Sequence, residues 1–251
     1  MSVEITLGFP LIRLDQTDST NTVAMKMIQE GRAGEGTVIL ADYQTLGRGQ
    51  KGNSWESNRG MNLLFSLILM PDFLEAGKQF YLLMSVSLGL VDLLQQYGVQ
   101  TVIKWPNDIY VSGRKTGGIL IENSLKGQYL SSSVAGIGLN VNQTSFVAAG
   151  SHPTSLKLEL KRDINRDILF TDALKHLTEW VRMLYRNDWA VIHDHYLQAL
   201  MYYDQWAAYT DTTGDFRGRI TGILEGGELV VEKQNGKKQH YRFKEIEYRL
   251  P

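Results

Sequence analysis

The chain has 251 residues, 43% of them hydrophobic and 21% charged, with a formal net charge of −1 and no cysteine. That length buries a full core, as one large domain or as a medium one with a small one, and the lack of cysteine excludes disulfides, thiolate metal sites and thiol nucleophiles. A charge so near zero argues against a protein whose main work is gripping nucleic acid, because a phosphate-neutralising surface leaves a basic excess.

The N-terminal MSVEITLGFP has neither the basic start nor the long apolar run of an export signal, so the cytoplasm is the expected compartment. Asp18-Ser19-Thr20-Asn21 is a cluster of helix-capping residues. Val23, Ala24, Met27 and Ile28 follow at helical spacing and Gly31 offers a left-handed terminator, which predicts a helix over 20–30. Short apolar strands are expected at 37–41 and 63–69. The stretch 44–61 between them is rich in Gly, Asn, Ser and Arg, and a loop that long inside a compact domain is usually functional. Residues 79–97 read as a largely buried helix. Its apolar part, 82–94, is broken by Ser85, Ser87, Gly89 and Asp92, too polar for a membrane span.

Further strands are expected at 101–105, 109–111, 118–122 and 130–140, with a Ser112-Gly113 turn. Phe170, Leu174, Leu177, Val181 and Leu184 share one helical face, and another helix is expected from Trp189 to about Tyr203. Beyond Thr210 the texture changes to short strands at 216–224, 228–233 and 238–243, separated by Glu-Gly-Gly and Asn-Gly turns. So small an all-β segment is below the size that usually folds alone, and should pack on the larger α/β part. Its charge-rich tail, 233–244, reads as a solvated β-edge.

Three segments carry chemistry. Gly47-Arg48-Gly49-Gln50-Lys51-Gly52 matches G-x-G-x-x-G formally, but no helical period follows it, so the dinucleotide fingerprint fails. What remains is a flexible backbone whose N–H groups can wrap an anion beside two cations, or a solvated surface loop. Lys104-Trp105-Pro106-Asn107-Asp108 is followed by Arg114-Lys115-Thr116-Gly117-Gly118, where the P-loop glycines are missing. Lys115 stands just past a tight turn, from which a long cationic side chain reaches into a cleft, and Gly117-Gly118 lets a ligand approach the backbone. Gly136 and Gly138 fall on one face of a strand, leaving either a flat patch where a ring lies or a crossing point with another element.

Asp18-Ser19-Thr20-Asn21, Gln44, Gly47-Arg48-Gly49, Trp55, Lys104-Trp105-Pro106-Asn107-Asp108, Lys115 and the 136–140 segment stand in an order that resembles the biotin–protein ligases. The resemblance runs from about Thr17 to the C-terminal β segment. It implies an α+β fold: a mixed, largely antiparallel sheet flanked by helices, of the class II synthetase-like biotin/lipoate ligase type, over residues 1–208. A small SH3-like β-barrel is implied over 209–251. It further implies biotin as substrate, ATP with Mg²⁺ as co-substrate and metal, and biotinyl-5′-AMP as intermediate. The implied acceptor is a lysine of the biotin carboxyl carrier domain of a biotin-dependent carboxylase.

Carried over residue by residue, Lys115, Arg48 and Asp108 are the implied catalytic residues. Ser19, Thr20, Asn21, Gln44, Arg48, Gly49, Gln50 and Lys115 are implied to hold biotin. Arg48, Lys51, Trp55, Asn107, Lys115 and Asn140 are implied to hold the nucleotide, with Mg²⁺ near Asp108. Gln50 departs from the best-known motif, where a second arginine stands, and Lys51 beside it carries a charge that can serve instead. The chemistry suits these types: a carboxylate attacking an α-phosphate brings two anions together, and Arg48 supplies a planar fork and Lys115 a point charge. About 16 residues precede Thr17, too few for the helix-turn-helix domain of some family members, so no DNA binding is expected. A monomer or weak homodimer is expected. The competing readings are a lipoate–protein ligase or octanoyltransferase, against which the Trp-Pro-Asn-Asp string stands, and a non-catalytic biotin-binding adapter.

Overall fold

The computed structural model describes residues 5–50, 53–147 and 152–250. Among these, one sheet has seven strands: β1 (Leu11–Leu14), β2 (Val38–Ala41), β3 (Leu63–Leu69), β4 (Thr101–Lys104), β5 (Asp108–Val111), β6 (Arg114–Lys126) and β7 (Tyr129–Leu139). Their order across the sheet is β1-β2-β3-β7-β6-β5-β4. Only β1 and β2 pair in parallel; the other neighbours are antiparallel. The helices are α1 (Thr20–Gln29), α2 (Phe80–Gln96), α3 (Leu156–Leu160), α4 (Arg166–Tyr185) and α5 (Trp189–Ala199).

The run LLFSLIL of β3 is buried throughout because both faces of the sheet are covered. Leu63, Phe65 and Leu67 join the large core with residues of α2 and α4, and Phe65 meets Phe170 edge to face. Ile68 joins Ala24, Ile39 and Val134 in a smaller cluster beneath α1. Ser66 is the polar exception, and it faces α1. In α2 the buried serines are satisfied within the helix, Ser85 donating to the Tyr81 carbonyl and Ser87 to that of Leu83. A Cβ on Gly89 would stand 2.9 Å from Leu177, so this glycine allows the close crossing of α2 and α4.

The expected elements form, with differences at their ends. β6 begins at Arg114 rather than near Gly118, because Arg114 and Lys115 pair with Val111 and Tyr110 before a bulge shifts the register. The last helix ends at Ala199, since Leu200 is extended and Tyr202 and Asp204 adopt positive φ. β1 and α3 are short and carry no periodic signal, and both lie outside the expected set.

The second sheet contains β8 (Trp206–Asp211), β9 (Gly214–Ile223), β10 (Leu229–Lys233), β11 (Lys238–Tyr241) and β12 (Ile246–Tyr248), ordered β11-β10-β9-β8-β12 and antiparallel throughout. It docks on the first unit where Trp105 donates its indole N–H to the Gly227 carbonyl at 3.0 Å and packs edge-on to Phe243. Its charged tail is an exposed edge, as expected, with β11 outermost and Lys237, Lys238, Arg242 and Lys244 exposed, and Lys233 at its start is the exception. The Lys233 ammonium lies 2.8 Å from the buried Asp211 carboxylate and 4.1 Å from the Phe216 ring centroid, so the long side chain packs inward and brings its partner with it.

Candidate active site

On the α1 side of the large sheet lies a cavity of about 700 Å³, within the range of small-molecule sites. Its lining includes Ser19, Thr20, Asn21, Gln44, Arg48, Gly49, Gln50, Trp55, Asn107, Asp108 and Lys115. Sequence segments far apart in the chain thus meet in one place. The second sheet closes the far end through Phe243, Lys244, Ile246, Glu247 and Tyr248.

The α1 end is a chain of polar contacts. Ser19 occupies the N-cap position but makes no side-chain cap bond. The first helical N–H is met instead by Gln44, whose Oε1 accepts from Thr20 N at 2.7 Å and from Thr20 Oγ1 at 3.1 Å. Capping from outside the helix leaves the Ser19 hydroxyl available at the cavity wall. Ser66 Oγ lies 2.7 Å from Thr20 Oγ1 and 2.6 Å from Asn21 Oδ1. Asn21 Nδ2 donates to Glu122 at 2.8 Å, and Arg48 pairs with the same Glu122 oxygen at 2.9 Å. One carboxylate therefore fixes both the amide and the guanidinium.

The middle of the cavity is built on glycines. Gly118 and Gly138 face each other across β6 and β7, and the Trp55 ring lies on them: a Cβ at Gly138 would stand 2.5 Å from that ring, and one at Gly118 3.3 Å. The expected flat patch does carry a ring, and the ring is the chain's own. Gly136 gives the same closeness to Asn21, whose Oδ1 would be 2.2 Å from an added Cβ. Lys115 reaches the floor because of the bulge in β6, which re-aims the side chains beside it. Its ammonium lies 2.6 Å from Asp108 Oδ1 and 5.8 Å from the Trp55 ring centroid.

The other expected residues stand differently. Lys51, with Gly52, lies outside the described residues. The Gly47 loop folds on itself: Gly49 N–H donates to the Asn53 carbonyl and Trp55 N–H to that of Gly47. The Gly49 N–H is thus engaged within the loop, and Arg48 is the group that the loop presents. Asn140 is buried and does not line the cavity; its Nδ2 holds the Thr154 carbonyl at 3.0 Å, while its Oδ1 has no partner. Asn107 lines the cavity, yet its amide is committed to the Ile119 carbonyl at 2.6 Å.

Four residues escaped the sequence-based selection of site residues: Ser66, Glu122, Lys104 and Tyr248. Glu122 was within reach, since alternation from Gly118 puts it on the glycine-bearing face. Among the described residues no group of three or more His, Asp or Glu side chains could hold a metal. Asp108 is a single carboxylate already paired with Lys115.

Known proteins resemble this chain in sequence and in fold. The model of the biotin/lipoate A/B protein ligase family matches residues 14–140. The bifunctional ligase/repressor BirA of Bacillus spizizenii is 33% identical over 246 residues, 94% of this chain and 73% of that protein. The biotin–[acetyl-CoA-carboxylase] ligase of Paracoccus denitrificans is 26% identical over 231 residues, 90% of this chain and 95% of the other. Among solved structures, the biotin protein ligase from Aquifex aeolicus in complex with biotin and ATP matches with a TM-score of 0.78 at 26% identity, covering 96% of this chain and 99% of that one. The chain belongs to the biotin/lipoate A/B protein ligase family. Within that family it stands with the biotin–protein ligases, and it is an enzyme of the ligase class.

Proposed function

We propose that the protein joins biotin to protein in two steps. It first activates biotin with ATP as biotinyl-5′-AMP, releasing pyrophosphate. It then transfers the biotinyl group to a lysine of a biotin carboxyl carrier domain. The observation that carries this reading is the pair of cations in one cavity, Arg48 on Glu122 and Lys115 on Asp108. Both contacts are with carboxylates, which is the charge and shape that biotin's own carboxylate and an α-phosphate present. Arg48 and Glu122 are partly exposed, and such pairs contribute only about 0–1 kcal/mol. A substrate anion held by charge-assisted hydrogen bonds in a closed site offers more, so exchange is favourable.

The polar ureido ring of biotin suits Ser19, Thr20, Asn21 and Gln44, whose positions Ser66 and Glu122 fix. The carboxylate then lies toward Arg48 and Lys115. Trp55, with one face on the glycine floor, offers the other face to the adenine, a stacking worth about 1–3 kcal/mol. Mg²⁺ would come with ATP as Mg–ATP and would neutralise charge on the phosphates, with Asp108 the carboxylate that would face it. Once Lys115 turns to the phosphate, the Asp108 carboxylate is free to receive the ammonium of the acceptor lysine.

The test is to incubate the protein with Mg–ATP, biotin or lipoate, and a carrier domain, and to weigh the carrier. A mass gain of one biotinyl group is the expected result. A lipoyl gain, or no gain with biotin still bound, contradicts the proposal.

A further inference from the structure

Lys104 closes β4 at the far end of the cavity, and its situation differs from that of the other two cations. Its ammonium lies 5.4 Å from the Tyr110 ring centroid and 5.5 Å from that of Tyr248, which comes from the second sheet. No carboxylate among the described residues stands within ion-pair distance of it. Burial pulls its pKa down, against the pull of Asp108 and Glu247, and Lys115 adds to the depression. Burial also pushes the Tyr110 phenol up to about 12 and the Tyr248 phenol well above its ordinary value, so both rings are neutral. Two neutral rings return less than the desolvation of an ammonium costs, so the cation is under-compensated until an anion arrives.

The position says which anion. In the sheet Asp108 registers with Gly118 on one side and with Lys104 on the other, so Lys104 lies beyond the Lys115–Asp108 pair, away from the Arg48 end. Displacement at phosphorus runs in line, with the attacking and leaving oxygens on opposite sides. With the biotin carboxylate on the Arg48 side, the leaving group points toward Lys104. Resting on the ligase reading above, we propose that Lys104, positioned by the Tyr248 ring, binds the β- and γ-phosphates of ATP and the pyrophosphate they become. A carboxylate oxygen forms a bond to the α-phosphorus while the bond to the β-phosphate bridging oxygen breaks. That oxygen keeps the electron pair, and the Lys104 ammonium meets the charge gathered there. No proton transfer is required. The second sheet thereby completes the nucleotide site through one aromatic side chain.

Two half-reactions separate this role from a structural one. The first is biotinyl-adenylate formation from biotin and Mg–ATP, with added pyrophosphate as inhibitor; the second is transfer from supplied biotinyl-5′-adenylate to the carrier. Lys104→Met should lower kcat/KM for ATP about tenfold or more and weaken pyrophosphate inhibition similarly, the scale of losing one fixed charge partner. Its loss in transfer should be several times smaller, and Lys104→Arg should recover most of the first half-reaction. Tyr248→Leu should show a smaller defect of the Lys104→Met kind, and the ring-retaining Tyr248→Phe should recover most of it. Equal losses in both half-reactions, or ATP and pyrophosphate behaviour unchanged in Lys104→Met, overturn the assignment. Tyr248→Leu indistinguishable from the native protein removes the tyrosine from it. A native protein that forms no adenylate overturns the ligase reading itself, and this proposal with it.

Discussion

At the end of the cavity beneath α1, Arg48 leans on Glu122, and Asn21 shares the same carboxylate. At the end closed by the second sheet, Lys104 rests against two tyrosine rings, with no carboxylate among the described residues within ion-pair distance. The first arrangement is an exchange site: its cation is held in place by an anion that the substrate must displace, so orientation exists before binding. The second is a desolvated charge waiting for its anion, so binding relieves a cost already present in the fold. The difference matches the two demands of an adenylation, which must place one carboxylate accurately and must draw off a highly charged leaving group. Lys115 is paired with Asp108 between the two ends, and in the proposed reaction it serves both.

Breaking the middle should cost most. Lys115→Ala is expected to slow adenylate formation by about 10²-fold or more, the scale of removing one preorganised donor from a dry site; a rate near that of the native protein contradicts its placement. Glu122→Ala tests the exchange end, because it unties Arg48 and Asn21 together. The KM for biotin should rise about tenfold, equivalent to ~1.4 kcal/mol, with a smaller change for ATP, and an equal rise for both substrates would show the end not to be specific for biotin. Gly138→Ala puts a methyl group into the Trp55 ring. It should shift tryptophan fluorescence and raise the KM for ATP a few-fold, and an unchanged spectrum would mean that the ring does not rest there. The smallest effect is on stability. Ser66→Ala leaves Asn21 Oδ1 without its donor, which should lower unfolding free energy by ~1–2 kcal/mol in a denaturant titration.

How much of this the sequence shows depends on whether a feature is local. β3 is legible because a run of seven apolar-rich residues needs only two covered faces. α1 is legible from its capping residues and spacing, although the cap bond itself comes from Gln44, twenty-four positions away. Ser66 looks like a blemish in an apolar strand until α1 is laid over it. Asn140 was expected beside the nucleotide, but its amide instead secures Thr154, a contact between segments that no local pattern announces. Tyr248 is harder still. Its importance arises from one sheet docking on another, and its neighbours in sequence give no sign of Lys104.

The central claim is that this cavity joins a biotin carboxylate to an α-phosphate. The most direct measurement mixes the protein with biotin and Mg–ATP in the absence of any carrier, quenches in acid, and counts biotinyl-5′-adenylate and pyrophosphate. The account predicts about one of each per protein molecule, and a rate that collapses in Lys115→Ala. Biotin bound with neither product formed would contradict it.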